Sequence, residues 1–140
     1  MSEWEELETW VTLACVKEVP PAPGVYAVRS MQGDKPKVIA RAFGKDESGI
    51  LCFGTTKRRT LRERLGQFCQ AASGQPVPHS EGKRYHNLGY SCRRRYPLSS
   101  LRIAWRRLET QEEAEQREKD WFKEYERVFG ELPPLNRRCG

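Results

Sequence analysis

Residues 110–129 read TQEEAEQREKDWFKEYERVF, and their apolar side chains recur at the spacing of an amphipathic helix. The apolar stripe consists of Ala114, Trp121, Phe122, Tyr125 and Phe129. Glu118 falls in the middle of that stripe, while the other charged residues mostly lie on other faces of the helix. A carboxylate surrounded by apolar side chains is costly to bury unless something cationic neutralises it. The pattern therefore predicts a special role for Glu118.

The middle of the chain is strongly basic. Residues 54–107 contain 13 Lys and Arg residues but only two acidic residues, Glu63 and Glu81. The whole chain carries a formal net charge of +6, and its pI is near 9.2. This balance favours a polyanionic partner. One buried acid facing a basic segment suggests a metal ion or a phosphate between them.

Composition argues against several classes of protein. A chain of 140 residues fits one domain with a single core. Its five cysteines are widely spaced and form no Cys-x-x-Cys, which argues against a disulfide framework and a zinc site. The acidic N-terminus has no signal-peptide pattern, and no stretch approaches the length that spans a bilayer. We therefore expect a reduced, cytoplasmic protein with no membrane partner.

The remaining patterns predict an α+β fold in one domain over residues 1–140, with a small antiparallel sheet flanked by helices. Strands are predicted at residues 25–29, 37–43, 50–53 and 101–105. They amount to three core strands plus one candidate extra strand. Residues 132–136, rich in proline, are expected to pack back in an extended form after the last helix.

Two further segments complete this picture. Helical spacing over residues 3–15 predicts a short amphipathic helix, which makes residues 1–19 an N-terminal helical extension. Thr60 is expected to cap a second helix that runs to about Ala72. Residues 73–97 are rich in Gly, Pro, Ser and Arg and are predicted to be a long basic loop. Because long loops often carry function, this segment is a candidate functional region.

The order of short motifs resembles the GIY-YIG nuclease superfamily over roughly residues 20–137. The motifs are Gly24-Val25-Tyr26, Cys52-Phe53-Gly54, Leu61-x-x-Arg64-Leu65, Ala114-x-x-x-Glu118 and Pro134-Leu135-Asn136. A further stretch, His79-Ser80-x-Gly82-x-Arg84-Tyr85, is similar to one found in some small stand-alone bacterial members. The family's domain is a small antiparallel sheet flanked by helices.

This resemblance implies a role for each matching residue. Tyr26 would activate or position the attacking water, and Arg64 would contact the phosphate. Glu118 would hold a divalent metal, Mg²⁺ or Mn²⁺, and Asn136 would lie near the site. Cys52 stands where the family has a tyrosine, so a hydroxyl is missing there and the rate of cleavage is in doubt.

The same chemistry follows from what phosphodiester hydrolysis needs. A carboxylate with Mg²⁺ stabilises the leaving oxygen, a guanidinium clamps a phosphate oxygen, and a tyrosine or histidine relays a proton. His79 and Tyr85 are the further candidates for proton relay. Phosphate contacts are expected from Lys57, Arg58, Arg59, Lys83, Arg84, Arg93, Arg94 and Arg95.

Three functions remain open from the sequence. The leading hypothesis is a metal-dependent endonuclease acting on DNA, with branched or damaged DNA among the candidate substrates. The alternative is a catalytically weakened or inactive nucleic-acid-binding module on the same fold. Cys52, in place of the tyrosine, would then indicate that the catalytic site has degenerated. A third is a basic protein-interaction domain. In a structural interpretation, Glu118 would instead form a salt bridge in the core. For the nuclease we expect Tyr26, Arg64 and Glu118 to converge on one concave face.

Overall fold

A five-stranded antiparallel sheet forms the centre of the computed structural model, which describes residues 2–136 apart from the side chains of residues 89–91. Its strands are β1 (Val11–Thr12), β2 (Gly24–Gln32), β3 (Lys35–Pro36), β6 (Ile50–Thr55) and β7 (Leu101–Arg107). β2 lies in the middle, paired with β6 on one side and β7 on the other. The predicted α+β class, a small antiparallel sheet flanked by helices, is confirmed.

Four α-helices cover this sheet. They are α1 (Leu61–Ala72), α2 (Ser80–Asn87), α3 (Gly89–Arg95) and α4 (Gln111–Phe129). Because side chains alternate along β2, Tyr26 and Val28 face a core shared with α1, whereas Val25 and Ala27 face a core shared with α4. The central strand is therefore buried on both faces. None of the helices in the described residues is long and apolar enough to cross a membrane.

Two of the three predicted helices, α1 and α4, are confirmed closely. The Thr60 hydroxyl accepts from the Glu63 N–H at 3.2 Å, and the Glu63 carboxylate accepts in return from the Thr60 N–H at 3.2 Å. This reciprocal pairing fixes the start of α1. α4 ends at Gly130, whose φ of 80° is the left-handed conformation that terminates helices without a Cβ penalty.

The predicted strand over 37–43 is wrong as part of the sheet. Those residues instead enter a separate hairpin of β4 (Ile39–Arg41) and β5 (Gly44–Asp46). The short β2–β3 ladder pairs Met31 with Pro36 and Gln32 with Lys35, and the Lys37 N–H donates to the Ser30 carbonyl at 2.9 Å just beyond it. The predicted strand at 101–105 is confirmed as β7, and it is a core strand because it pairs with β2 from Gly24 to Ser30.

The predicted helix over residues 3–15 is also wrong. The segment forms a 3₁₀ helix at Glu3–Glu6, the edge strand β1, and a second 3₁₀ helix at Leu13–Glu18. β1 pairs with Ile103 and Arg102 of β7, so a sheet edge competes successfully with the helical pattern. Trp4 anchors this segment to the core, because the centroid of its ring lies 5.2 Å from that of Phe53.

Residues 73–97 are not a long loop, since they contain both α2 and α3. The His79 side chain caps α2 by accepting from the Gly82 N–H at 3.2 Å. Gly82 itself is required by close packing: a Cβ there would lie 2.8 Å from the Ala71 Cβ and 2.9 Å from the Phe68 carbonyl oxygen. Glycine therefore lets α2 pack tightly on α1, although locally it weakens the helical signal.

Candidate active site

A cavity of about 710 Å³ opens beside the C-terminal end of β6, and residues of α1, α2 and α4 contribute to its lining. Tyr26, Arg64 and Glu118 all line it, which confirms that they share one concave face. The other lining residues are Gly54, Thr55, Lys57, Ser80, Glu81, Arg84, Phe122 and Asn136. Its ionisable side chains thus comprise three cations, two carboxylates and one tyrosine.

Glu118 enters the cavity from the buried face of α4 without an ionic partner. Within residues 2–136, no ion pair and no hydrogen bond joins its carboxylate to another group. Burial, with Glu81 and Glu115 nearby, raises the pKa of Glu118 to about 7, and Lys57 and Arg64 oppose that rise. The ion pair that a purely structural acid would need is therefore missing from the described part of the chain.

Tyr26 of β2 and His79, the residue before α2, form a buried hydrogen-bonded pair. The Tyr26 hydroxyl lies 2.6 Å from His79 Nε2, and the His79 ring is 1% exposed. Because the Gly82 N–H can only donate, His79 Nδ1 must be the acceptor, and the proton of the neutral ring sits on Nε2. Burial and Arg64 lower the pKa of His79 to about 3, so the ring is neutral at pH 7.

This tautomer makes His79 the donor to Tyr26. The tyrosine oxygen accepts from Nε2–H, and its own hydroxyl proton is left for a partner in the cavity. Burial, then Glu81, raises the pKa of Tyr26 well above its usual value, so the phenol is protonated at neutral pH. Tyr26 is therefore a neutral hydroxyl whose orientation is set by His79.

Hydrogen bonds from one end of the Arg64 guanidinium fix its position, while another of its N–H groups has no acceptor among the described residues. Its Nη1 donates to the Gln67 side chain at 2.8 Å and to the Pro78 carbonyl at 3.1 Å. Its Nε is buried and has no hydrogen-bond partner within the described residues. Since the guanidinium is already oriented, an anion entering the cavity would meet a fixed donor group.

Glu81 is the residue that sequence reasoning missed. It lies in the first turn of α2 and lines the cavity with Glu118. Burial raises the pKa of Glu81, while Arg64, Arg84 and Lys57 oppose that rise. The helix start that His79 caps could have revealed Glu81, but the prediction of a loop over residues 73–97 left that helix out. No group of three or more His, Cys, Asp or Glu side chains is placed to hold a metal within residues 2–136.

Asn136 closes the edge of β6 next to the cavity. Its side-chain oxygen accepts from the Phe53 N–H at 2.9 Å, and its amide donates to the Phe53 carbonyl at 3.1 Å. The Leu135 N–H donates to the Leu51 carbonyl at 2.9 Å, so the segment packs back on β6 as predicted. It forms a turn there rather than the predicted extended piece, since the Asn136 N–H donates to the Pro133 carbonyl at 3.0 Å. Asn136 thus supports the wall of the site through the backbone of β6.

Three residues predicted to be catalytic do not line the cavity: Cys52, His79 and Tyr85. Cys52 is fully buried in the core shared with α1. Tyr85 is also buried, and its hydroxyl donates to the Tyr96 carbonyl at 2.5 Å. Gly54, by contrast, lies opposite Tyr26 on β2, and a Cβ there would collide with the tyrosine ring. Glycine at this motif position is needed because the ring lies across it.

We expect Cys52→Tyr to destabilise the protein and to leave cleavage no faster. The larger side chain must enter a packed core, and overpacking of this kind costs about 1–3 kcal/mol. Urea denaturation would measure the free energy of unfolding, with Cys15→Tyr at a half-buried position as the control. A Cys52→Tyr protein as stable as the wild type, and faster in cleavage, would mean that the missing hydroxyl limits the rate.

The predicted phosphate-binding residues divide into two groups. Lys57 and Arg84 line the cavity, and Arg84 also donates to the Leu135 carbonyl. The remaining members are exposed outside it: Arg58, Arg59, Lys83, Arg93, Arg94 and Arg95. The last three occupy the final turn of α3.

A scan of protein-family models and searches of curated proteins and of solved structures found no match to this chain.

Proposed function

We propose that the protein is a divalent-metal-dependent endonuclease that hydrolyses phosphodiester bonds in DNA through a GIY-YIG-like site. The observation that carries the proposal is the Glu118 carboxylate, which has no ion pair within residues 2–136 and lines one cavity together with Arg64 and Tyr26. A half-buried carboxylate without a cation is costly to keep, and a hard divalent ion with oxygen ligands would neutralise it.

The residues of the cavity fit such a metal. Glu118 would hold Mg²⁺ or Mn²⁺, and the ion would supply charge neutralisation at the phosphate and at the leaving oxygen. Arg64 would bind a non-bridging phosphate oxygen, because its guanidinium is already oriented by two acceptors. Tyr26 would orient the attacking water with a hydroxyl that His79 holds in place.

The basic surface supports DNA as the substrate. Lys57, Arg64 and Arg84 line the cavity, and further exposed Lys and Arg residues surround the starts of α1 and α2. These charges suit a phosphate backbone, which supplies most of the sequence-independent affinity for DNA. Free thiols at Cys15, Cys52, Cys69 and Cys92 fit the proposed reducing, cytoplasmic location.

Incubation with supercoiled plasmid tests the proposal directly. Nicked circles are expected to accumulate with Mg²⁺ or Mn²⁺ and to be absent with EDTA, because the chemistry depends on the bound ion. Agarose electrophoresis would follow the conversion, with Glu118→Gln as the matched inactive protein. Plasmid that is bound in a gel shift but never nicked, under any divalent metal, would instead favour the inactive nucleic-acid-binding module.

A further inference from the structure

The turn between β6 and α1 holds a lysine in a conformation that lysine rarely adopts. Lys57 has a φ of 57°, and no other non-glycine residue described has a positive φ. The Arg59 N–H donates to the Thr56 carbonyl at 2.9 Å, so Lys57 is the first of the two central residues of a tight turn. Glycine adopts this conformation without a Cβ penalty, whereas a residue such as lysine is strained there.

Contacts from two directions hold the turn in this strained form. The Thr56 N–H donates to the Gly24 carbonyl at 3.3 Å, and the Gly24 N–H donates to the Thr56 hydroxyl at 3.3 Å. That hydroxyl also donates to the Gln111 side chain at the start of α4. Gln111 Nε2 in turn donates to the Arg59 carbonyl at 2.7 Å. The surroundings therefore determine the backbone of Lys57, as expected for strain kept at a functional site.

The side chain that the turn presents is an exposed cation at the cavity. Lys57 is exposed and lines the cavity together with Arg64 and Arg84 and with the carboxylates Glu81 and Glu118. Within residues 2–136, its ammonium makes no ion pair or hydrogen bond that would give it a structural task. A need for this ammonium in the cavity would explain why the strained backbone conformation of Lys57 is kept.

We propose that Lys57 is a substrate-binding residue whose ammonium contacts a DNA phosphate in the cavity, and that the left-handed turn persists in order to present it there. This inference rests on the proposed function for the identity of the ligand. It places the phosphate contact expected of Lys57 inside the cavity, beside Arg64, and assigns the left-handed turn the task of presenting the ammonium there.

Three variants of Lys57 separate charge from backbone strain. Lys57→Met removes the charge and keeps the strain, Lys57→Gly removes both, and Lys57→Arg keeps both. Binding to a fluorescein-labelled 20-base-pair duplex in EDTA would be followed by fluorescence anisotropy over a series of salt concentrations. Lys17→Met is the matched control, because Lys17 is an exposed lysine that does not line this cavity.

The charge and the strain give separate expected results. Lys57→Met and Lys57→Gly should each reduce the slope of log K against log salt by about 0.9, the share of one phosphate contact. Lys57→Arg and Lys17→Met should keep the wild-type slope. In thermal melts, Lys57→Gly should have a Tm about 3–6 °C above that of Lys57→Met, because only glycine relieves the left-handed strain.

Each contrary result has one meaning. A wild-type slope in Lys57→Met, or a Lys57→Gly protein that melts no higher than Lys57→Met, overturns the inference about Lys57. Cleavage by the wild type in that case leaves the nuclease proposal standing. Conversely, a slope that depends on Lys57 in a protein that never cleaves overturns the nuclease proposal alone. A wild type that does not bind the duplex overturns both.

Discussion

Glu118→Gln is expected to abolish metal-dependent cleavage and, above neutral pH, to stabilise the fold. Glutamine has nearly the same shape but loses the charge that would hold the metal. Because Glu118 has no ion pair within the described residues, the substitution leaves no buried cation without its partner. A plasmid-nicking assay and urea denaturation on the same protein would measure the two effects.

The pKa of Glu118 determines the sign of the pH dependence. Its value in the folded protein is about 7, against 4.5 for an ordinary glutamate. Between these values the unfolded chain releases the proton while the folded chain retains it, so the free energy of unfolding falls as pH rises. The full loss is about 3 kcal/mol, complete above pH 7. We expect this decline in the wild type and not in Glu118→Gln.

Glu126→Gln is the control for this experiment, since Glu126 is an exposed carboxylate on the same helix. It should keep both cleavage and the pH-dependent decline. Mn²⁺ should raise the Tm of the wild type at pH 8 and leave that of Glu118→Gln unchanged. If Glu118→Gln instead lowered stability by several kcal/mol, Glu118 would be a structural acid, and the proposed metal site would be wrong.

Tyr26→Phe is expected to lower the cleavage rate by about 10²–10⁴-fold, the usual contribution of a positioned proton donor or acceptor. It should also destabilise the protein by about 1–3 kcal/mol, because His79 Nε2–H is left buried without an acceptor. Single-turnover cleavage and urea denaturation would give the two numbers. An unchanged rate would remove Tyr26 from the mechanism.

Two substitutions of His79 separate its two hydrogen bonds. Asparagine places its oxygen near the position of Nδ1, so His79→Asn should keep the cap on α2 and lose the bond to Tyr26. Glutamine reaches the position of Nε2, so His79→Gln should keep the donor to Tyr26 and lose the cap. We expect the rate to fall in His79→Asn, with no further loss when Tyr26→Phe is added. Equal rates in both single variants would mean that His79 only supports the fold.

Local signals in the sequence were sufficient for α1, α4 and the strands nearest the centre. The cap at Thr60 and the glycine after Phe129 act within one helical turn, so they can be recognised without knowing the rest of the fold. The position of Glu118 follows from helical period alone, because the period determines which side chains share a face. Assignment to the GIY-YIG superfamily and activity on DNA stay predictions.

The tertiary structure decided what depends on contacts between distant segments. His79 meets Tyr26 across 53 positions of sequence, and this pairing could not be inferred from either segment. Gly82 counts against a helix locally, yet it allows α2 to pack on α1 and brings Glu81 into the cavity. Likewise, Gly24 and Gln111 brace the turn at Lys57 from two other elements. Periodicity and caps act within one element, whereas such contacts exist only once the elements have packed.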